Sequence, residues 1–152
     1  LQFAKNQTQE KTGIIEINSL LLEIIKNYSD GKLFLKQTKK ISFEGRQNSL
    51  NRCFTNIIQN GLTYGNKVFI TLEKTSNRLL IFFEDNGPGI PVEEYRNVFK
   101  PFYRLDKSRS LNKSGVGLGL SIAEDIINSH GGNIQLGKSK YNGLQVRISL
   151  PF

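Results

Sequence analysis

Five stretches of this sequence carry residue types that do chemistry. They are the trio Asn56, Asn60 and Tyr64, then EDNGPGIP at 84–91, VFKPFYR at 98–104, SGVGLGLS at 114–121 and GNIQLGKS at 132–139. The last fits the phosphate-binding pattern G-x-x-x-x-G-K-[ST] residue for residue, through Gly132, Gly137, Lys138 and Ser139. Such a loop must follow a strand and open a helix, because amides at the helix N-terminus hold the phosphates. GNIQLGKS does neither. NIQL is itself strand-like, and KYNG followed by LQVRISL reads as a turn and a second strand. The match is therefore set aside.

SGVGLGLS precedes a helical pattern directly. Gly115, Gly117 and Gly119 lack a Cβ, so their amides can approach an anion closely. The helix N-terminus adds favourable partial charge. The same glycines also suit a hinge. In EDNGPGIP, Asp85 ends an apolar strand and meets a tight turn. A carboxylate there can accept a hydrogen bond from an amino group such as that of adenine, or serve in an ordinary turn. Asn56, Asn60 and Tyr64 form a stripe beside the apolar face of one helix. Asparagine is a poor mid-helix residue. Its oxygen suits magnesium, which keeps several waters and is shared with phosphates; two exposed asparagines fit the pattern equally. In VFKPFYR, Phe99, Phe102 and Tyr103 are closely spaced rings. Arg104 and the polar stretch LDKSRSLNKS follow, which reads as a lid or an ordinary surface loop. Arg104, Lys107, Arg109 and Lys113 are its candidate phosphate partners.

These stretches need a scaffold, and 152 residues suffice for one domain with a real core. A hydrophobic content of 38% and a charged content of 22% are those of a soluble globular chain. No apolar run approaches a membrane span; the longest, LLIFF from Leu79, is strand-length. The net charge of +8 points to a solvated basic surface or an anionic partner. Nucleic acid is disfavoured: no basic run exceeds two residues and no stacked aromatic platform is visible. One Cys and one His leave no internal disulfide and too few soft ligands for zinc. Cys53 is assigned to the core.

Residues 1–10 read as the polar end of a helix, with a turn at Gly13. Ile17, Leu20, Leu21, Ile24, Ile25 and Tyr28 recur at helical spacing, as do Leu50, Cys53, Phe54, Ile57, Ile58 and Gly61 within 47–64. LFLK, ISFEG, KVFITLEK and RLLIFFED read as strands, the last apolar enough to be central and covered on both faces. A short helix near 91–97, a polar loop to about 114, a helix from about 116 to 129 and a closing hairpin complete the chain. Hairpins mixed with helices predict an α+β fold: a two-layer α/β sandwich, its sheet mixed but mostly antiparallel, with helices on one face.

The order TNIIQNGLTYG, EDNGPGIP, FKPFYR, SGVGLGLSIAEDIINSHGG resembles the catalytic and ATP-binding domain of bacterial sensor histidine kinases. The four correspond to that family's asparagine box, first glycine box, phenylalanine box and second glycine box. NGLTYG and FYRLD look most like the osmosensor-type kinases. Gyrase-type topoisomerases, Hsp90-type chaperones, mismatch-repair ATPases and anti-sigma kinases share the wider fold class. The resemblance implies a Bergerat-type ATP-binding sandwich over 13–152. Residues 1–12 would be the remnant of the preceding dimerisation helix and linker, and a mobile lid would lie at about 98–114.

It also implies roles. Asn60 would ligate the magnesium bridging the ATP phosphates, with Asn56 beside it. Asp85 would take the adenine amino group, with Gly87, Gly89 and Ile90 shaping the adenine pocket and Tyr64 lining the nucleotide. Phe99 and Phe102 would anchor the lid, and Arg104 would approach the phosphates. Gly115, Val116, Gly117, Leu118 and Gly119 would cradle them. The implied partners are a dimerisation and histidine phosphotransfer domain and a response regulator receiver domain, not nucleic acid. The parent would be a homodimeric, membrane-anchored protein, with this domain in the cytoplasm. Two departures stand out. Thr63 occupies a position where the family often has a basic residue. The phospho-accepting histidine is missing, since His130, at a helix end in SHGG, matches a structural position. The alternatives are a same-fold serine kinase of the anti-sigma type and a non-catalytic nucleotide-binding module.

Overall fold

The computed structural model describes residues 10–36, 39–103 and 119–152. Among these, five strands form the main sheet, in the order β2 (Leu33–Leu35), β4 (Val68–Lys74), β5 (Arg78–Asp85), β7 (Leu144–Pro151), β6 (Asn133–Lys138). β2 runs parallel to β4 and the other pairs are antiparallel, so the sheet is mixed and mostly antiparallel. A separate two-stranded sheet pairs β1 (Gly13–Glu16) with β3 (Ser42–Gly45). The turn expected at Gly13 is thus the start of a strand, and its partner lies too far along the chain for local periodicity to announce it.

Three helices cover one face: α1 (Ile17–Ile25), α2 (Gln47–Tyr64) and α3 (Gly119–Ser129). α2 buries Leu50, Cys53, Phe54, Ile57, Ile58 and Gly61, one apolar stripe at helical spacing. The Phe54 ring packs against Phe83 of β5 at 5.9 Å, and Cys53 lies fully buried beside the Ala123 carbonyl of α3. The core joins all three helices to the inner sheet positions Ile70, Ile81, Phe83, Val146 and Ile148.

β5 is central, but the helical layer does not cover both of its faces. Its inner residues Leu79, Ile81 and Phe83 belong to the core. Leu80 and Glu84 on the outer face are also buried, at 9% and 6% exposure. Arg147 lies over the Phe82 ring, and Phe34, Phe69 and Tyr141 stack on one another. A near-continuous apolar run therefore arises here without a second layer of helices among the described residues. The aromatic stack, invisible in the sequence, draws its rings from three separate elements.

α2 has no capping side chain of its own at Arg46. Its free amides are taken by Glu10, whose carboxylate accepts from Asn48 N at 2.6 Å, Ser49 N at 3.0 Å and the Ser49 hydroxyl at 3.0 Å. A negative group at a helix N-terminus is favourable on charge as well as on hydrogen bonding. At its other end α2 reaches the candidate site.

Candidate functional site

β5 carries Asp85 out of the core and stops, because Asn86-Gly87-Pro88-Gly89 cannot continue the ladder. Alternation along the strand places Asp85 on the inner face, beneath the end of α2. There a narrow cleft is lined by Ile57, Asn60 and Gly61 of α2, Val68 and Phe83, Asp85, and Val146. Asn60 and Asp85, singled out separately in the sequence, thus share one cleft.

Asp85 is 6% exposed, and its two carboxylate oxygens differ. Oδ1 accepts from Gly87 N at 2.9 Å and from Leu144 N at 3.1 Å. Oδ2 lies on the Gly61 side, 3.7 Å from where a Cβ on that glycine would stand. Burial pushes the carboxyl above its ordinary value, and the two backbone donors pull it back. Gly61 matters because a Cβ would come within 2.7 Å of Val68 and 3.4 Å of the Asp85 Cβ. Its lack of a side chain keeps the cleft open; in the sequence it reads only as one more residue of the apolar stripe.

The walls are set by close backbone approaches. A Cβ on Gly87 would stand 2.9 Å from the Tyr64 carbonyl, so the first glycine turn lies directly on the end of α2. Asn86 fastens the two: its Oδ1 accepts from Asn66 N at 2.9 Å and Lys67 N at 3.0 Å, and its Nδ2 donates to Asn66 Oδ1 at 2.6 Å. Gly89 adopts φ +73°, a conformation that side chains disfavour, and approaches the Gly143 carbonyl. Sequence reasoning missed Asn86, Gly143 and Leu144 as site-builders. Their local signals were turn chemistry alone, Asn86-Gly87 in the glycine turn and Asn142-Gly143 in KYNG.

Asn56 is half-buried one turn before Asn60, and Gly119, opening α3, lies against the Asn56 carbonyl. The start of α3 therefore meets the asparagine stripe. Tyr64 is 44% exposed at the end of α2. The Thr63 hydroxyl donates to the Gln59 carbonyl at 2.8 Å, back along the helix. Ile90 and Phe99 pack half-buried on the core. Two short 3-10 turns, Val92–Glu94 and Asn97–Phe99, replace the single helix expected near 91–97. Phe102 is 68% exposed, at φ 65°. The Tyr103 hydroxyl donates to Glu94, which also accepts from Asn97 Nδ2 at 3.2 Å; the Tyr103 bond, first among the causes, holds the Glu94 carboxyl below its ordinary value. Arg104, Gly115, Val116, Gly117 and Leu118 lie outside the described residues, as does most of the expected lid.

The remaining sequence motifs find structural places. GNIQLGKS is mainly strand β6. Gly131, at φ +77°, ends α3, with Gly132 N donating to the Ile127 carbonyl at 3.0 Å. His130 is half-buried: its Nε2 accepts from Arg46 N at 3.1 Å, and its Nδ1 donates to the Ile126 carbonyl at 2.8 Å. Both ring nitrogens are engaged. Burial pushes the imidazole below its ordinary value, the Ile126 bond opposing.

A helical layer over a mixed sheet, with an acceptor carboxylate and an amide side chain in one cleft between them, defines a nucleotide-binding sandwich. Residues 45–152 match the family described as histidine kinase-, DNA gyrase B-, and HSP90-like ATPase, and the chain belongs to that family. It is similar to the sensor histidine kinase GtrS of Pseudomonas aeruginosa, 32% identical over 143 residues, which are 93% of this chain and 29% of that protein. It is also similar to the sensor histidine kinase CpxA of Escherichia coli strain K12, 29% identical over 158 residues, 96% of this chain and 35% of that protein. The chain thus spans about a third of the length of these relatives. The fold is that of the ATP binding domain of PrrB from Mycobacterium tuberculosis, with TM-score 0.77 and 22% identity, over 93% of this chain and 98% of that one. The chain is an ATP-binding domain of the kind carried by sensor histidine kinases.

Proposed function

We propose that this chain is the catalytic domain of a two-component sensor histidine kinase, positioning magnesium-ATP for phosphoryl transfer to a histidine on a separate dimerisation domain. The observation that carries the reading is the asymmetry at Asp85. Two backbone donors saturate Oδ1, while Oδ2 faces a gap that only a glycine leaves open, beside Asn60. A carboxylate oxygen in that setting accepts a hydrogen bond and offers none, which suits the amino group of adenine and rejects a purine carbonyl.

The chain's own residues divide the work. Asp85 orients the base, with the backbone of Gly87, Gly89 and Ile90 as the pocket wall and Tyr64 at its rim. Asn60, with Asn56 beside it, offers amide oxygens toward the phosphate end. Magnesium would be held by Asn60 and supply charge neutralisation at the phosphates. Among the described residues no group of three His, Cys, Asp or Glu side chains comes together. A metal held by one amide oxygen, waters and phosphate fits that donor set. Arg104 and the glycines Gly115, Gly117 and Gly119, with Val116 and Leu118, would complete the phosphate cradle, and Phe99 and Phe102 would carry the lid over about 98–114. Phosphoryl transfer of this kind depends on positioning and charge stabilisation.

The acceptor must come from elsewhere. The chain has one histidine, and both nitrogens of His130 serve the joint between α3 and the start of α2. We assign residues 1–12 to the end of the dimerisation unit and 13–152 to the catalytic domain. We assign the parent as a homodimeric, membrane-anchored protein acting on a response regulator, with this domain on the cytoplasmic side. Among the described residues no helix is long and apolar enough to cross a membrane. The test is incubation with γ-labelled ATP, alone and with the parent's dimerisation domain. Acid-labile label should appear on the acceptor and stay off this chain. Nucleotide binding without acceptor label would sink the reading, and serine label would favour an anti-sigma-type kinase.

A further inference from the structure

The turn joining β6 to β7 grips the last two residues of β5 from both faces of the sheet. On the inner face, Leu144 N donates to Asp85 Oδ1 at 3.1 Å and Gly143 lies against the Asp85 carbonyl. On the outer face, Lys140 N donates to Glu84 Oε1 at 3.2 Å, and Gln145 Nε2 reaches the same oxygen at 3.3 Å. The turn closes on itself through Ser139 N to the Gly143 carbonyl at 2.9 Å and Tyr141 N to the Ser139 hydroxyl at 2.9 Å.

Something must hold this turn down on the sheet, and Tyr141 does so. Its ring lies flat on Phe69 of β4, with centroids 3.8 Å apart and planes 17° from parallel. Phe69 lies in turn on Phe34 of β2, at 5.0 Å and 14°. Phe34 and Phe69 are register partners, and so are Phe69 and Glu84. The stack therefore runs along the sheet row that contains Glu84, one residue from Asp85. Tyr141 stands outside the hydrophobic core cluster, so the core gives no reason for a large ring there.

We propose that Tyr141 is a positioning residue for base recognition. By stacking on Phe69 it seats the turn so that Gly143 and Leu144 fix Oδ1 of Asp85 and leave Oδ2 for the purine amino group. The inference rests on the adenine-binding reading of Asp85. It adds that the preference for a 6-amino over a 6-oxo purine depends on a ring on the far face of the sheet.

The test compares binding of ATP and ITP, whose base carries oxygen at position 6, by calorimetry on the wild-type chain and variants. Tyr141→Ala should weaken ATP about fivefold while leaving ITP nearly unchanged, so that the ATP:ITP ratio falls. Tyr141→Phe, which keeps the stack, should restore the ratio. Should Tyr141→Ala fail to fold, Phe69→Leu removes the platform and should lower the ratio likewise. Loss of the ratio in Asp85→Asn with no change in Tyr141→Ala or Phe69→Leu would overturn the proposal and leave the adenine site standing. A wild-type chain without preference for ATP would overturn both.

Discussion

Gly143 and Asp85 occupy one another's space: a Cβ on Gly143 would stand 2.1 Å from Asp85 Oδ1 and 2.3 Å from the Asp85 carbonyl oxygen. The nearest atoms are a buried carboxylate and backbone, neither of which can swing aside. Gly143→Ala should therefore displace Asp85 and the turn together, destabilising the fold by about 1–3 kcal/mol, as overpacking does. Urea denaturation with parallel ATP calorimetry checks this. Wild-type stability and affinity in the variant would contradict the packing described.

Asp85 and Asn60 should fail differently. Asp85→Asn exchanges a charged acceptor for an amide and should weaken ATP about tenfold or more, with or without magnesium. Asn60→Ala should weaken binding only when magnesium is present, and chelating the metal from the wild-type chain should reproduce that loss. Calorimetry in magnesium and in chelator separates the two, and unchanged affinity in both variants refutes the site.

Acidification should act at two places. The His130 imidazole is pushed down in the folded chain by burial, so its contribution is present above the ordinary value of about 6.5 and lost as pH falls toward the folded value. Melting temperature should drop between pH 8 and pH 5.5, and His130→Gln should flatten that slope. Asp85 has the opposite sign: its carboxyl is raised, so the folded state favours the protonated form, and that stabilisation is lost as pH rises through the folded value. A protonated Asp85 is a poorer acceptor, so ATP affinity should fall as pH descends, with a midpoint above about 3.9. Asp85→Asn should lack this dependence.

Glu10 caps α2 from 38 and 39 residues away. Glu10→Ala should cost about 0.5–2 kcal/mol in chemical denaturation. Hydrogen exchange should quicken at Asn48 and Ser49 and stay unchanged at the α2 end beside Asn60. Loss of protection throughout the helix would show the carboxylate holding more than the cap.

Much of the scaffold was legible because its determinants are local. The stripe Leu50, Cys53, Phe54, Ile57, Ile58 and Gly61 predicted a helix over 47–64, and the helix spans Gln47–Tyr64. RLLIFFED predicted strand β5 with matching bounds, and NIQL predicted the first part of β6. β1 escaped, since four residues with a distant partner carry too little pattern. So did the triple ring stack, because Phe34, Phe69 and Tyr141 are isolated aromatics until the sheet aligns them.

By itself the sequence determined the elements, the α+β class and the residue types at the site, since turn chemistry and hydrophobic period act over a few residues. It named Asp85 and Asn60 as chemistry without a shared address. Tertiary structure decided that they line one cleft, which Asp85 oxygen faces it, and why positions 61, 87 and 143 must be glycine. Those outcomes depend on close approach between segments as far apart as Asp85 and Leu144, 59 residues along the chain. Such approach is set by how the helices and the closing hairpin pack on the sheet, which no local pattern encodes.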